Sequence, residues 1–265
     1  ENPENLLGKI EVLRPFVIED VPNVGTVSEQ PHIKISAYYR LLIPTLLPNH
    51  LKKAIYLDSD VIVLGDLGEL WDMNMGENYL LAVQDIPIPY VSSPGGLINY
   101  QELGLAAKTK YLQSGVLVID LEKWRIHGTS QQCIEYLQKN REYVRWHDTD
   151  VLNAILAGKW GELDPRWNQT PFIYQYSSWK ESSLPEHIFH ELIHHPYIVH
   201  FVSPAKPWNS REEHPFRHLF FHYLDRTAWS GWRLTIWRRL WRRLVREIKQ
   251  LGSFGVMKKP ARVHS

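Results

Sequence analysis

The stretch from Lys53 to Val63 constrains the fold of this chain more than any other segment. Two short apolar runs flank the sequence Asp58-Ser59-Asp60, and runs of this length are typical of buried strands, because they are too short for independent helices. Side chains two positions apart on an extended chain point the same way, so Asp58 and Asp60 present two carboxylates on one side. They stand at the carboxyl end of a strand, which is where open α/β sheets bind ligands.

A pair of partly buried carboxylates has two interpretations. Asp58 and Asp60 repel each other unless a cation or hydrogen-bond donors compensate them, and hard oxygen ligands suit magnesium or manganese. The first interpretation is therefore a divalent metal site. The alternative is a surface turn with two solvated carboxylates, because an Asp-x-Asp sequence on its own is common.

Composition sets the class of the fold. With 265 residues, of which 44% are hydrophobic, the chain can bury a large core as a single α/β domain. The single cysteine, Cys133, cannot form an internal disulfide, which fits a reducing compartment. No apolar run approaches the roughly 18–20 residues that span a bilayer.

The charge is distributed unevenly along the chain. Between Arg226 and Arg262, eleven Lys or Arg residues stand against one acid, Glu247, although the whole chain carries only +1. At 3.6 residues per turn, residues 235–251 separate into an apolar face with two tryptophans and a face of arginines. This pattern predicts an in-plane amphipathic helix, with residues 229–251 on an anionic membrane surface. The alternatives are a helix packed on the domain and, less favoured because the rest of the chain is acidic, a nucleic-acid contact.

Further polar side chains follow predicted helices and strands. Arg40 lies in a helix predicted over residues 32–47, where it is either a solvated charge or a ligand-facing cation. Asp85 ends a predicted strand, where it either faces the same site as Asp58 or caps a turn. Asp148 opens a further predicted helix, for which it is also a natural N-cap.

Another candidate pair comes late in the chain. His200 ends a strand predicted over residues 198–202, and Lys206 follows in a turn flanked by prolines. A histidine in this position is more often a core or surface residue than a ligand. Histidine is nevertheless a common metal ligand, and lysine is a common phosphate-binding residue.

Long strings in this sequence resemble glycosyltransferase family 8, which contains bacterial lipopolysaccharide galactosyl- and glucosyltransferases and, more distantly, glycogenin. They are YYRLLIPTLLP, AIYLDSDVIVLGDLGELWD, YLQSGVLVIDLEKWR, HDTDVLNAIL, LDPRWNQ and HFVSPAKPW, in family order over about residues 32–208. The resemblance implies a GT-A fold with a mixed central sheet, a retaining reaction, a UDP-hexose donor and manganese, with magnesium as the alternative metal.

The resemblance also implies a role for each matching residue. Asp58, Asp60 and His200 resemble the metal ligands, and Lys206 resembles the residue that contacts the donor diphosphate. Arg40 resembles the helix arginine near the donor. The residues that resemble those around the donor sugar are Asp85, Gln113 and Asp148. Thr149 stands beside them at the position of the reacting centre, so Asp148 and Thr149 are the expected catalytic residues.

Two departures from the family pattern stand out. The family usually has Asn or a similar amide donor at position 113 and Gln at position 149, where this chain has Gln113 and Thr149. Because Thr149 is shorter and has no amide oxygen, the alternative to an enzyme is a non-catalytic nucleotide-sugar-binding protein. In addition, residues 1–31 do not match the N-terminal strand and helix of the family, so we expect that part of the fold to be missing.

These observations predict two segments. Residues 1–225 are expected to form a GT-A-like transferase domain, and residues 226–265 a basic, amphipathic extension. The expected function is transfer of a galactose or glucose from UDP to a saccharide or lipid-linked saccharide acceptor in lipopolysaccharide or other cell-surface glycan synthesis. We expect a cytoplasmic protein on the inner face of the plasma membrane, with no nucleic-acid partner.

Overall fold

A computed structural model of the chain describes residues 35–202, 206–210 and 214–237. Its strands are β1 (Lys53–Leu57), β2 (Val61–Val63), β3 (Leu80–Gln84), β4 (Leu112–Asp120), β5 (Trp160–Glu162) and β6 (Ile198–His200). Its α-helices are α1 (Ile43–Leu46), α2 (Leu67–Asp72), α3 (Leu121–Ile126), α4 (Thr129–Lys139), α5 (Asp148–Leu156), α6 (Glu186–His194) and α7 (Arg217–Leu224). Short 3₁₀ helices lie at Ile35–Leu42, Arg141–Tyr143, Pro165–Asn168, Pro171–Gln175 and Trp179–Glu181.

The central sheet is mixed, as the sequence predicts. Its four strands run in the order β1-β4-β3-β5, with β4 antiparallel to both of its neighbours and β3 parallel to β5. A separate antiparallel pair joins β2 to β6, and in its register Val61 faces His200. This small pair therefore brings the end of the Asp-Ser-Asp sequence next to a residue 140 positions later in the chain.

The two faces of β4 explain why this strand is central. Alternate residues point to opposite faces, so Leu117 and Ile119 pack with helices α3, α4 and α5, whereas Val116 and Val118 pack on the other side. All four are essentially inaccessible to solvent. The apolar run over residues 116–119 therefore belongs to a strand that is buried on both faces.

A register shift in β4 opens the sheet at the predicted site. Ala82 pairs with Leu117, but the next residue, Val83, pairs with Gln113. The three residues between, Ser114, Gly115 and Val116, are thereby released from pairing with β3. A glycine inside the strand predicted over residues 111–121 indicates a bulge or a close approach. This prediction is confirmed at Gly115, because a Cβ at this position would overlap the ring of His200.

Two local predictions need correction or restriction. Asp148 is not the N-cap of α5, because the helix begins at Asp148 itself and His147 occupies the cap position. The basic extension is described only as far as Trp237, so most of the predicted amphipathic helix lies outside the described residues. In the described part, the side chains of Trp229 and Trp237 are exposed, and no helix there has the length and apolarity to cross a membrane.

Candidate active site

Three predicted metal ligands meet where β1, β2 and β6 come together. Ligand atoms of Asp58, Asp60 and His200 all lie within 4.8 Å of one another. His200 Nε2 is 3.6 Å from Asp58 Oδ2 and 3.2 Å from Asp60 Oδ1, and the imidazole is buried. The turn between β1 and β2 thus places both carboxylates at the histidine that ends β6.

A chain of hydrogen bonds fixes which nitrogen of His200 faces the carboxylates. The backbone N–H of Gly115 can only donate, so it identifies the Oε1 atom of Gln113 as its acceptor, at 2.6 Å. Asn168 donates its Nδ2 to that same oxygen, which turns its Oδ1 toward His200 Nδ1 at 2.9 Å. Because an amide oxygen can only accept, Nδ1 carries the proton and Nε2 faces Asp58 and Asp60.

Lys206 holds the second carboxylate of the cluster. Its ammonium group donates to Asp60 and to the carbonyl of Phe201. Burial alone raises the pKa of the Asp60 carboxyl, but the contacts with His200 and with the Lys206 ammonium hold it well below its usual range. Asp60 is therefore an ionised acceptor at any physiological pH.

Arg40 joins the metal-ligand candidate Asp58 to the sugar-site candidate Asp148. Its guanidinium lies 2.8 Å from Asp58 and 3.1 Å from Asp148, and the side chain is 9% exposed. Tyr56 donates to Asp58 at 2.7 Å, and its ring lies under the guanidinium at 4.5 Å. The interpretation of Arg40 as a solvated helix charge is therefore wrong for this structure, because the side chain is buried between two carboxylates.

Ser114 connects Arg40, Asp148 and Thr149. Its hydroxyl donates to Asp148 Oδ2 at 3.0 Å and lies 2.7 Å from Thr149 Oγ1. Arg40 donates to the Ser114 carbonyl at 2.6 Å and to its hydroxyl at 3.2 Å. Since the single Ser114 proton goes to Asp148, Thr149 donates its own proton to Ser114 and keeps only acceptor capacity for another group. Burial raises the pKa of Asp148 to about 6 in spite of the opposing charge of Arg40.

Asp85 lies at the same edge of the sheet but takes part in a separate set of contacts. It directly follows Gln84, the last residue of β3, which pairs with Leu112. Its carboxylate accepts from the backbone N–H of Ile88 at 2.9 Å, which is the turn-capping role offered as the alternative. Burial raises the pKa of Asp85 to about 6. Within the described residues, no hydrogen bond or ion pair joins it to the other predicted site residues.

Direct contacts join six of the nine predicted site residues, namely Arg40, Asp58, Asp60, Asp148, His200 and Lys206. Thr149 joins this group through Ser114 and Gln113 through Asn168, and Asp85 lies at the same sheet edge. Three contributors were not predicted, namely Tyr56, Ser114 and Asn168. A signal existed for Tyr56, because it stands two positions before Asp58 and so points to the same side of the strand. Asn168 belongs to a string that carries the family resemblance, but nothing in its spacing shows that it orients His200.

The family model of glycosyl transferase family 8 matches residues 6–212. The chain belongs to this family. The match begins before residue 32, so it also includes residues N-terminal to the sequence strings that resemble the family. Residues 6–31 lie outside the described structure.

Relatives and solved structures agree with this membership. General stress protein A of Bacillus subtilis (strain 168) is 35% identical over 205 residues, which cover 76% of this chain and 69% of the relative. A lipopolysaccharide 1,3-galactosyltransferase of Salmonella typhimurium is 27% identical over 74% of this chain and 56% of its own length. The chain spans about half the length of several such curated relatives, for example 42% of glycosyltransferase GlyE of Streptococcus pneumoniae.

The similarity extends to three dimensions. Galactosyltransferase LgtC, solved in complex with donor and acceptor sugar analogs, matches with a TM-score of 0.62 and 28% identity over 74% of this chain and 69% of that chain. The expectation of a GT-A fold is therefore confirmed. The chain is a glycosyltransferase family 8 protein with the mixed α/β architecture of that fold.

Proposed function

We propose that this protein transfers a hexose, galactose or glucose, from UDP to a saccharide acceptor, with retention of the anomeric configuration and with a divalent cation. The observation that carries the proposal is the cluster of Asp58, Asp60 and His200, with Lys206 bound to Asp60 and Arg40 bound to Asp58. Family membership supports the reaction class, and the cluster supplies the chemistry that a nucleoside diphosphate leaving group requires.

The residues of the cluster fit a divalent cation of the manganese or magnesium type. Two carboxylates and one imidazole are hard or borderline ligands, and Asn168 already turns the Nε2 lone pair of His200 toward the carboxylates. Asp58, Asp60 and His200 would hold the ion, which would neutralise the charge that develops on the diphosphate as the sugar leaves. Lys206 provides a second positive charge for the same diphosphate.

We assign the donor sugar to the part of the site around Asp148, on the opposite side of Arg40 from the metal-ligand candidate Asp58. We assign Asp148, Asp85 and Gln113 to the hydroxyls of the donor hexose, because carboxylates and an amide oxygen or nitrogen orient hydroxyl groups. Thr149 occupies the position beside the anomeric centre. Because its proton is committed to Ser114, its oxygen lone pairs are left to stabilise the positive charge that develops on the sugar ring.

Retention then follows without a covalent enzyme intermediate. The bond between the anomeric carbon and the phosphate oxygen breaks while the acceptor hydroxyl attacks from the same face, and the hydroxyl proton passes to the departing phosphate oxygen. The threonine at position 149 cannot supply an amide oxygen as nucleophile. We therefore favour attack on the leaving-group side over a double displacement.

Two measurements test the proposal. Native protein with manganese and UDP-galactose or UDP-glucose should release UDP, whereas Asp58→Asn and His200→Ala should lose about 10³ in rate, equivalent to about 4 kcal/mol. Asp72→Asn is a matched control, because Asp72 is an exposed carboxylate at the end of α2. Tight binding of UDP-hexose with no turnover in the native protein would instead favour the non-catalytic alternative.

We also propose that residues 229–251 bring the enzyme to the inner face of the plasma membrane, beside a lipid-linked acceptor. Support comes from the sequence pattern and from the exposure of Trp229 and Trp237. Native protein should sediment with anionic vesicles but not with neutral ones. Replacement of Arg238, Arg239, Arg242 and Arg243 by Gln should abolish sedimentation. Equal replacement of Lys52, Lys108, Lys139 and Lys180 should not, and if both variants sediment alike, the tail is not the membrane contact.

A further inference from the structure

Helix α6 carries the sequence His190-Glu191-Leu192-Ile193-His194. Two histidines four positions apart lie on one face of a helix, one turn above the other. In this helix, Phe189 and Leu192 are buried toward the domain, while His190 and His194 are exposed. Their rings are parallel within 2°, with centroids 6.5 Å apart. The helix thus presents two imidazoles side by side to solvent.

This sequence is the zinc-binding pattern of many metallopeptidases, but the surroundings exclude that chemistry here. A peptidase of this type needs a free glutamate as general base and a third protein ligand. Glu191 is engaged instead, since its carboxylate lies 3.2 Å from Arg166 and 3.4 Å from His195. Among the described residues, the one group of three clustered metal-ligand candidates is that of Asp58, Asp60 and His200.

We propose that His190 and His194 form a second metal site, which binds a late first-row divalent cation through two imidazoles. The affinity of nitrogen ligands for divalent metals rises from manganese through nickel to copper, and zinc binds nearly as tightly as these later metals. The histidine pair therefore prefers nickel, copper or zinc, whereas the oxygen-rich cluster at Asp58 suits manganese or magnesium. Two imidazoles on one zinc ion, with zinc–nitrogen bonds of about 2.0–2.1 Å, have centroids about 5 Å apart. Both side chains are exposed, so rotation about their own bonds closes the remaining distance without moving the helix.

The position of α6 gives this site a structural consequence. Phe189 and Leu192 pack with Ile86 and Ile173 in a small apolar cluster. Ile86 directly follows Asp85, and the Asp85 carboxylate caps the turn at Ile88. A metal that links two turns of α6 therefore stabilises the helix against which the Asp85 turn is packed. Metal binding at His190 and His194 does not depend on the function proposed above. An effect of this metal on sugar transfer, however, rests on that proposed function.

A second pair of histidines with the same spacing offers an internal comparison. His218 and His222 lie four apart on α7 and are also exposed. His218, however, has its Nδ1 atom 3.0 Å from the carbonyl of Pro215. The pair on α6 is therefore better arranged to bind one metal ion through both imidazoles, because its rings already lie side by side.

Calorimetric titration of the full chain with NiCl₂ tests the proposal. The native protein should show an imidazole-type site that weakens at least tenfold in His190→Ala and in His194→Ala. His200→Ala, which alters the other cluster, and His218→Ala should both retain it. All four can be measured for folding by thermal unfolding, and the two α6 variants change only exposed side chains, so loss of fold is not expected to interfere.

Three results would overturn the assignment. One is nickel binding that is unchanged in His190→Ala, and another is loss of all nickel binding in His200→Ala. The third is cleavage of a casein substrate by the zinc-loaded protein that disappears in Glu191→Gln, because this would make the site a peptidase centre rather than a binding site.

Discussion

The buried carboxylate of Asp85 allows a prediction that separates stability from function. Burial raises its pKa to about 6 from an ordinary value of 3.8, and the N–H of Ile88 opposes this only in part. The native state therefore holds its proton more tightly than the unfolded chain does. Stability contributed by this group is present at low pH and is lost as the pH rises from about 3.8 to about 6. A shift of about 2 pKa units at about 1.4 kcal/mol each corresponds to a cost of about 3 kcal/mol at pH 7.

Asp85→Asn removes the charge and keeps an oxygen that can accept from Ile88. We expect the variant to be more stable than the native protein by up to about 3 kcal/mol at pH 7.5 but by only about 1 kcal/mol at pH 4.5. Urea unfolding at four pH values between 4.5 and 8 measures this difference. Asp72→Asn, at an exposed position, should show no such dependence.

The same variant should lose function while it gains stability. Transfer from UDP-hexose should fall at least tenfold, because the amide oxygen accepts from Ile88 and leaves an NH₂ group, which cannot accept from a sugar hydroxyl, in place of the second carboxylate oxygen. Affinity for UDP alone should be unchanged. The reasoning fails if the stability difference is the same at every pH, and the sugar assignment fails if UDP binding weakens as much as transfer does.

Three further changes probe the network around His200 and Arg40. Asn168→Ala should weaken manganese-dependent UDP binding by about 10–100-fold, because it frees the imidazole to turn, and unchanged calorimetric binding would contradict the orienting role. Gly115→Ala should weaken the same binding, since the added methyl group would overlap the His200 ring, and a crystal structure with an undisplaced ring would disprove this. Arg40→Met should cost about 3–5 kcal/mol in the free energy of unfolding, because it leaves Asp148 buried beside Asp58 without a cation. A loss below 1 kcal/mol would mean that solvent already screens the pair.

The sequence predicted those parts of the site that depend on local spacing. The Asp58-Ser59-Asp60 turn is flanked by strands as expected, and the prediction of a close approach at Gly115 is confirmed. These features follow from period-two alternation and from the absence of a side chain on glycine. The mixed sheet and the GT-A architecture came from the resemblance, because strand order is set by contacts between distant segments that no local pattern records.

The contacts that orient the site could not be predicted from the sequence. Ser114 lies where the register of β4 shifts against β3, and the three partners of its hydroxyl come from segments far away in the chain. Asn168 reaches His200 across 32 positions, through a 3₁₀ helix that packs on β6. Small polar residues in such positions look like ordinary strand and loop residues, since their roles depend on a tertiary geometry that forms after the strands have paired.

The charges at the site explain why the donor and the cation would bind together. Three carboxylates, those of Asp58, Asp60 and Asp148, face two cationic side chains, Arg40 and Lys206. The protein alone therefore carries one net negative charge here, which repels a diphosphate. A divalent cation would reverse the sign to one net positive charge, and the two negative charges of a UDP-sugar would return it to one negative. Nucleotide without metal would leave about three net negative charges at the site, so the donor binds more favourably together with the cation. Calorimetry should accordingly show that manganese tightens UDP binding and, by thermodynamic linkage, that UDP tightens manganese binding by the same factor.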